Sequence, residues 1–348
     1  NLEVPLAGAD AGYSGYPHFN CPDEIVVGAK DAGFDMLLTG NNHCYDTRKA
    51  GVVRTLEVLE QTGLESLGTQ KDKEDPDYKV IEVNGIRVGM TAYTAETYDG
   101  MPGIPSINAI QCSPDSFGMI NSFDYGQLNK FYEQIGAQFE AMKAEGAEAI
   151  VVFMHWGEEY ILEPTEYQVK IAQKLCDMGV DVIVGGHPHV VQPMELLTST
   201  KDPEHTTVCI YSLGNAVSNQ RMGVGDKFAG GFTEDGVFFT VTFEKYSDGE
   251  VYGAGTDVIP TWVNMHTTGG VKEYNILPLE DTRREEWRDL FQLNDNTLSF
   301  AQRSYDRTMD IVGEGLAACQ EYLDQAKIDR EAYYYDLAMN PEKYATEP

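Results

Sequence analysis

Three stretches of the chain repeat one pattern of apolar and polar positions. Over Asp23 to Lys30, Tyr125 to Lys143 and Thr165 to Asp177, apolar residues recur every three or four positions, the spacing of an amphipathic helix. Gly33, Gly146 and Gly179 follow, each suited to the left-handed residue that ends a helix. Short apolar runs come next, through Met36-Leu37-Leu38, Ala149-Ile150-Val151-Val152-Phe153 and Val180-Asp181-Val182-Ile183-Val184. Runs of that length, apolar on both faces, predict buried strands of a sheet covered by helices. Each run stops at a polar loop carrying histidine: Asn41-Asn42-His43, His155 and His187-Pro188-His189. Three such strands parallel in one sheet would bring their C-terminal ends to one edge, where open α/β sheets bind ligands.

A second pattern is antiparallel. Lys79 to Val83 and Ile86 to Tyr93 flank Asn84-Gly85, a tight hairpin signal, and Val237 to Tyr246 and Val251 to Ile259 flank Ser247-Asp248-Gly249. With Thr207 to Tyr211 these predict a second sheet, face to face with the first and with helices outside. Residues 96–123, rich in Gly, Pro, Ser and Asn, read as an inserted loop beside the ligand edge. From Arg283 to about Leu337 apolar residues return at helical spacing, so the chain is divided into a core domain, 1–282, and a helical appendage, 283–348.

Composition removes several classes of function. Of 348 residues, 56 are acidic and 25 basic, a formal net charge of −31, which disfavours nucleic acid and anionic lipid surfaces as partners. Aromatic residues make up 11%, enough apolar surface to exclude a disordered acidic chain. No run approaches the ~20 apolar residues of a membrane span. The six cysteines are scattered without a Cys-x-x-Cys pair, which argues against a thiolate metal site and leaves the redox compartment open.

The histidines carry the chemistry. His43, His155, His187 and His189, four of seven in the chain, fall at the predicted ends of three separate strands. Taken alone, His187-Pro188-His189 is a weak signal; convergence of the three loops makes it a candidate metal site. Asn42 adds an amide oxygen able to coordinate a cation, and His43 an imidazole able to protonate a leaving group, although the same residues also suit a turn followed by a helix cap. Asp46 and Thr47 read as caps of the helix carrying Val52, Leu56 and Leu59, and Cys44 as a packed side chain. Imidazole, carboxylate and amide donors without thiolate suit zinc, manganese or iron, and two ions about 3.5–4 Å apart are the arrangement used to hydrolyse phosphate esters.

Asn1-Leu2-Glu3, Gly40-Asn41-Asn42-His43 with Asp46 and Gly51, His155-Trp156-Gly157-Glu158-Glu159-Tyr160, Gly185-Gly186-His187-Pro188-His189 and Tyr211-Ser212-Leu213-Gly214-Asn215 stand in this order. Together they resemble the bacterial CapA family of capsule or poly-γ-glutamate biosynthesis proteins, within the calcineurin-like metallophosphoesterase superfamily, from Asn1 to about Pro260. The resemblance implies a four-layer α-β-β-α sandwich. It implies that Glu3 stands at the metal-bridging carboxylate, that Asn42 binds one ion, that His155 and His187 bind one metal and His189 the other, and that His43 is the acid beside the scissile group. Asn215 would anchor a loop, and Trp156 and Tyr160 would wall the pocket. Family members begin with a strand ending in Gly-Asp, whose Asp is the first metal ligand. That strand would precede Asn1, so the expectation is one or two divalent ions, with the first position the weaker.

Two functions fit. One is a metal-dependent, phosphoesterase-like hydrolase of the cell envelope; the other is a non-catalytic accessory or polymer-binding component of a poly-γ-glutamate synthesis and export machine. Both imply an anionic polymer or phosphoester ligand, membrane polymer-synthase components as partners, and an exported protein tethered to the membrane through a segment outside this sequence.

Overall fold

The computed structural model describes residues 1–97, 103–280 and 284–344. Part of the insertion (98–102), the 282/283 boundary and the last four positions lie outside the described residues. The fold is mixed α/β with a long C-terminal helix, as the patterning predicts. The chain divides into two compact units, one of Asn1–Glu159, Pro164–Pro188 and Thr198–Thr207, the other of Tyr160–Glu163, His189–Leu197 and Val208–Pro348.

The first unit contains, in chain order, α1 (Glu24–Asp31), β1 (Met36–Leu38), α2 (Arg48–Thr62), β2 (Glu65–Leu67), β3 (Lys79–Val83), β4 (Ile86–Ala95), β5 (Ser106–Ile107), β6 (Ile110–Gln111), β7 (Ser122–Phe123), α3 (Leu128–Ala144), β8 (Ala149–His155), α4 (Glu166–Cys176) and β9 (Val182–Gly186). The three helix-ending glycines take the left-handed conformation, at φ 92°, 86° and 86°. Thr165 and Gln168 form a reciprocal capping box at the start of α4. Strands β4, β8 and β9 run parallel, with His155 opposite Gly186, so His155 and His187 emerge side by side at the C-terminal edge.

Two sequence expectations are corrected here. The β3–β4 hairpin forms around Asn84-Gly85 as predicted, but β4 pairs with β8, so the hairpin extends the parallel strands instead of founding a second sheet. Conversely β1 does not join β8 and β9; it pairs in parallel with β2 in a separate two-stranded sheet. Close backbone contact still brings its following loop toward the end of β4: a Cβ on Gly68 would lie 2.6 Å from the Gly40 nitrogen and 3.2 Å from the Ala92 Cβ. Only glycine permits that approach. The insertion is also more ordered than a loop. Its β5–β6 hairpin turns at Asn108 and Ala109, both at positive φ (51° and 58°), and buries Ile107 and Ile110 in the core with Leu2, Leu37, Cys44 and Tyr45.

The second unit contains most of β10 (Val191–Thr198) and β11 (Thr206–Leu213), then β12 (Asp235–Lys245), β13 (Val251–Thr268), β14 (Val271–Pro278), α5 (Arg284–Leu290), α6 (Asp295–Met339) and α7 (Pro341–Tyr344). Strands β12, β13 and β14 form an antiparallel meander; β14 is not evident in the sequence because Val271-Lys272-Glu273-Tyr274-Asn275-Ile276 does not alternate apolar with polar positions and most of it is exposed. Helix α6 starts at an Asn294 cap and lies against β13 and β10. Trp262, Leu277, Trp287 and Ala301 share one buried cluster that binds helix to meander. Among the described residues no helix is long and apolar enough to cross a membrane.

One glycine of α6 tests this packing. A Cβ on Gly315 would sit 1.9 Å from the Met194 carbonyl oxygen of β10, so helix and strand meet backbone to backbone. On an exposed helix Gly→Ala gains about 1 kcal/mol. Here Gly315→Ala should instead destabilise the protein by about 1–3 kcal/mol, as overpacking does, and urea unfolding will show the sign.

Candidate metal centre

The chain segment around Glu3 is tied to the loop after β1 by Asn41. Its amide donates to the Leu2 carbonyl (2.8 Å) and to Asn1 Oδ1 (3.1 Å), while its Oδ1 accepts the His43 backbone N–H (3.0 Å). Asn41 is fully buried, and this double role aligns Glu3, Asn42 and His43. Leu2 N–H also donates to the Leu38 carbonyl of β1.

Three donor groups then gather around His155, at the end of β8. Its Nε2 lies 2.9 Å from Asn42 Oδ1, 3.2 Å from His187 Nδ1 and 3.6 Å from Glu3 Oε1. The ligand atoms of Glu3, His155 and His187 all lie within 4.8 Å of one another. A tetrahedral ion with bonds of about 2.0–2.1 Å would hold its donors about 3.3 Å apart, close to the three separations from His155 Nε2. The cluster therefore fits a divalent cation bound through oxygen and imidazole nitrogen. His187 holds its ring there at φ 97°, a conformation costly for any residue but glycine and found preferentially at functional sites. His187→Gly should leave the metal-free protein as stable as before, or up to about 1 kcal/mol more stable, while removing one imidazole from the cluster. Urea unfolding in chelator checks it, and a clear loss of stability would show that the ring's contacts outweigh the strain.

His43 follows Asn42 and is buried, 6% exposed. Its Nδ1 is 2.8 Å from Asp46 Oδ2, whose side chain is fully enclosed. Asp46 engages Nδ1, which leaves Nε2 as the nitrogen to act on a ligand. Phe19 packs its ring edgewise on the imidazole at 4.5 Å. The helix-cap role expected of Asp46 is thus corrected: its carboxylate accepts from His43 and Phe19, and neither it nor Thr47 makes a side-chain cap bond to α2. The i, i+3 spacing of His43 and Asp46 was the available signal. Nothing in sequence pointed to Asn108, whose amide donates to Asp46 Oδ1 (2.8 Å) from the distant hairpin tip.

Cys44 is packed, as expected; burial pushes its thiol up to about 12, so no thiolate nucleophile exists at neutral pH. All six cysteines are free thiols. Trp156 is fully buried. His189 belongs to the second unit, where its Nδ1 lies 3.0 Å from Asn215 Oδ1 and its ring stacks on Tyr160. The Asn215 amide donates to the carbonyls of His189 (3.1 Å) and Thr233 (2.9 Å), bracing that loop.

A mixed α/β scaffold thus presents donors suited to a divalent cation next to a buried histidine–aspartate pair. Residues 1–220 match the family described as "Bacterial capsule synthesis protein PGA_cap", and the chain belongs to that family. It is similar to the capsule biosynthesis protein CapA of Bacillus anthracis, 30% identical over 204 residues, which is 58% of this chain and 44% of the relative. It is equally similar to the PGA biosynthesis protein CapA of Bacillus subtilis (strain 168), 30% identical over 208 residues, 58% of this chain and 47% of the relative. A Mycobacterium tuberculosis relative described as "Probable polyglutamine synthesis accessory protein" is 28% identical over 158 residues, 45% of this chain and 40% of that one. The matched region is about half the length of the two Bacillus proteins. A calcineurin-like phosphoesterase, YfkN of Bacillus subtilis, aligns over 80% of this chain and 75% of its own with a TM-score of 0.38 and 17% identity.

Proposed function

We propose that this member of the capsule synthesis family is a metal-dependent hydrolase of a phosphoester or another anionic bond, working in the cell envelope in capsule or poly-γ-glutamate metabolism. The observation that carries the reading is His43: an imidazole buried, pinned through Nδ1 by Asp46 and directly following a residue of the donor cluster. Zinc, manganese or iron held by Glu3, Asn42, His155 and His187 would supply Lewis-acid charge and a more acidic bound water. The chain's own part is to orient His43 so that Nε2 hands a proton to the leaving oxygen, with Asp46 supporting the imidazolium.

Charge bears on the substrate. The acidic surface of a chain of net charge −31 opposes a polyanion at close range, and a positive centre attracts it only within about a Debye length, ~8 Å at physiological salt. A cation at the donor cluster is such a centre. Full-length chain loaded with zinc, manganese or iron should therefore cleave an aryl phosphate and stop on chelation; no turnover with any of the three metals would count against the reading.

The description of the mycobacterial relative as an accessory protein favours a second reading, in which the same centre binds polymer without cleaving it. Titration with poly-γ-glutamate, with and without chelator, separates the two: metal-dependent binding with no hydrolysis supports the accessory, and metal-independent binding excludes this centre as its docking site.

A further inference from the structure

The hydrogen bonds around Asp46 include one side chain that the metal cluster does not require, at a hairpin turn where glycine would serve as well. Asn108 sits at the tip of the β5–β6 hairpin, 62 positions along the chain from Asp46. Its Nδ2 donates to Asp46 Oδ1 (2.8 Å) and to the Pro17 carbonyl (3.1 Å), and lies 3.2 Å from His43 Nδ1. Asp46 Oδ2 meanwhile accepts the Phe19 N–H and lies against His43, both at 2.8 Å. The enclosed carboxylate therefore has His43 and Phe19 on one oxygen and Asn108 on the other. A carboxylate held at one oxygen only can swing about its last bond; held at both, it cannot.

The tip is itself fixed. Ile107 and Ile110 flank it, buried in the core at 0% and 7% exposure. The Ala109 N–H donates to Thr97 Oγ1 at 2.8 Å. Through Pro17 the same amide fastens the loop between Ser14 and Asn20, closed at its base by paired backbone bonds, which carries Phe19 against the imidazole.

We infer that Asn108 is a positioning residue of the site, its single amide orienting the Asp46 carboxylate toward His43 and holding the Phe19 loop in place. It touches no reacting atom. The inference rests on the reading of His43 as a proton donor for its catalytic consequence, but its structural content stands apart from that reading.

Glycine suits the positive φ of position 108 and removes only the amide, so Asn108→Gly separates turn from side chain. Asn108→Asp keeps size and turn preference but sets a carboxylate against Asp46. Full-length chain labelled with ¹⁵N-histidine reports the His43 Nδ1–H directly by NMR, whether or not substrate is turned over. In wild type that proton should be seen on Nδ1 in slow exchange with water. In both variants it should exchange at least about tenfold faster, and where turnover is measurable kcat should fall about 10–100-fold, the range for lost outer-shell partners, with KM nearly unchanged. An unchanged Nδ1–H signal in either folded variant overturns the inference. A wild type with the proton in place but no turnover leaves the positioning role standing and sinks the hydrolase reading instead.

Discussion

Replacing His43 by alanine is expected to lower aryl-phosphate turnover about 10²–10⁴-fold, the usual contribution of a positioned general acid, while metal content stays at the wild-type level. The two readouts come apart because His43 is not among the donors within reach of His155 Nε2, which are Asn42, His187 and Glu3. Asp46 keeps its bonds from the Phe19 N–H and the Asn108 amide in this variant, so its enclosed carboxylate is not stranded and the fold survives. Steady-state kinetics with a parallel metal assay checks both halves. Equal loss of metal and turnover would mean that His43 supports the donor cluster instead of the chemistry.

A comparably large effect on stability is expected in the second unit, at a pair with no part in the site. Asp235, at the start of β12, is buried; Ser304 donates to its Oδ1 at 2.6 Å and Arg307 Nη2 at 2.6 Å, while Arg307 Nε bonds Oδ2. Arg307 also donates to the Gly231 carbonyl at 2.7 Å, so one guanidinium ties α6 both to the meander and to the loop before it. Arg307→Met leaves a buried carboxylate with its hydroxyl partner but no cation and should cost about 3–5 kcal/mol near neutral pH.

The pH dependence follows with a definite sign. Burial pushes the Asp235 carboxyl up to about 6, against the pull of Arg307, from an unfolded value near 3.9. Between those values the folded chain binds more proton at this group than the unfolded chain, so its contribution to stability falls as pH rises through that window. Without Arg307 the carboxyl titrates higher still, and the fall steepens and continues past pH 6. The difference between wild type and Arg307→Met in urea unfolding should therefore be smaller at pH 5 than at pH 8. A difference independent of pH would show that the arginine acts by packing alone.

Local order was largely legible in the sequence, because helix periodicity, helix-ending glycines and tight-turn pairs are short-range signals. Gly33, Gly146 and Gly179 ended their helices where the pattern placed them, and Asn84-Gly85 turned its hairpin. What failed was the assignment of strands to partners. A strand's apolar run shows that it is buried, not which neighbour it meets: the pattern groups β1 with β8 and β9 in one sheet, whereas β1 pairs with β2, and it assigns β4 to a second sheet, whereas β4 pairs with β8. The meeting of His155 and His187 was readable because strand direction fixes where residues at the ends of parallel strands emerge. The support of His43 was not. Asp46 was taken for a helix cap, and Asn108 is an ordinary turn asparagine until the hairpin brings it to a carboxylate 62 positions away.

On the proposed function, Glu3, Asn42, His155 and His187 form one cation site. Chelator-stripped chain, incubated with zinc or manganese and freed of unbound metal by gel filtration, should retain at least one ion per chain by elemental analysis. His155→Ala and His187→Ala should each weaken binding by more than the ~10–100-fold that loss of an outer-shell partner costs. Retention unchanged in the folded double variant, or no retained ion in the wild-type chain, would contradict it.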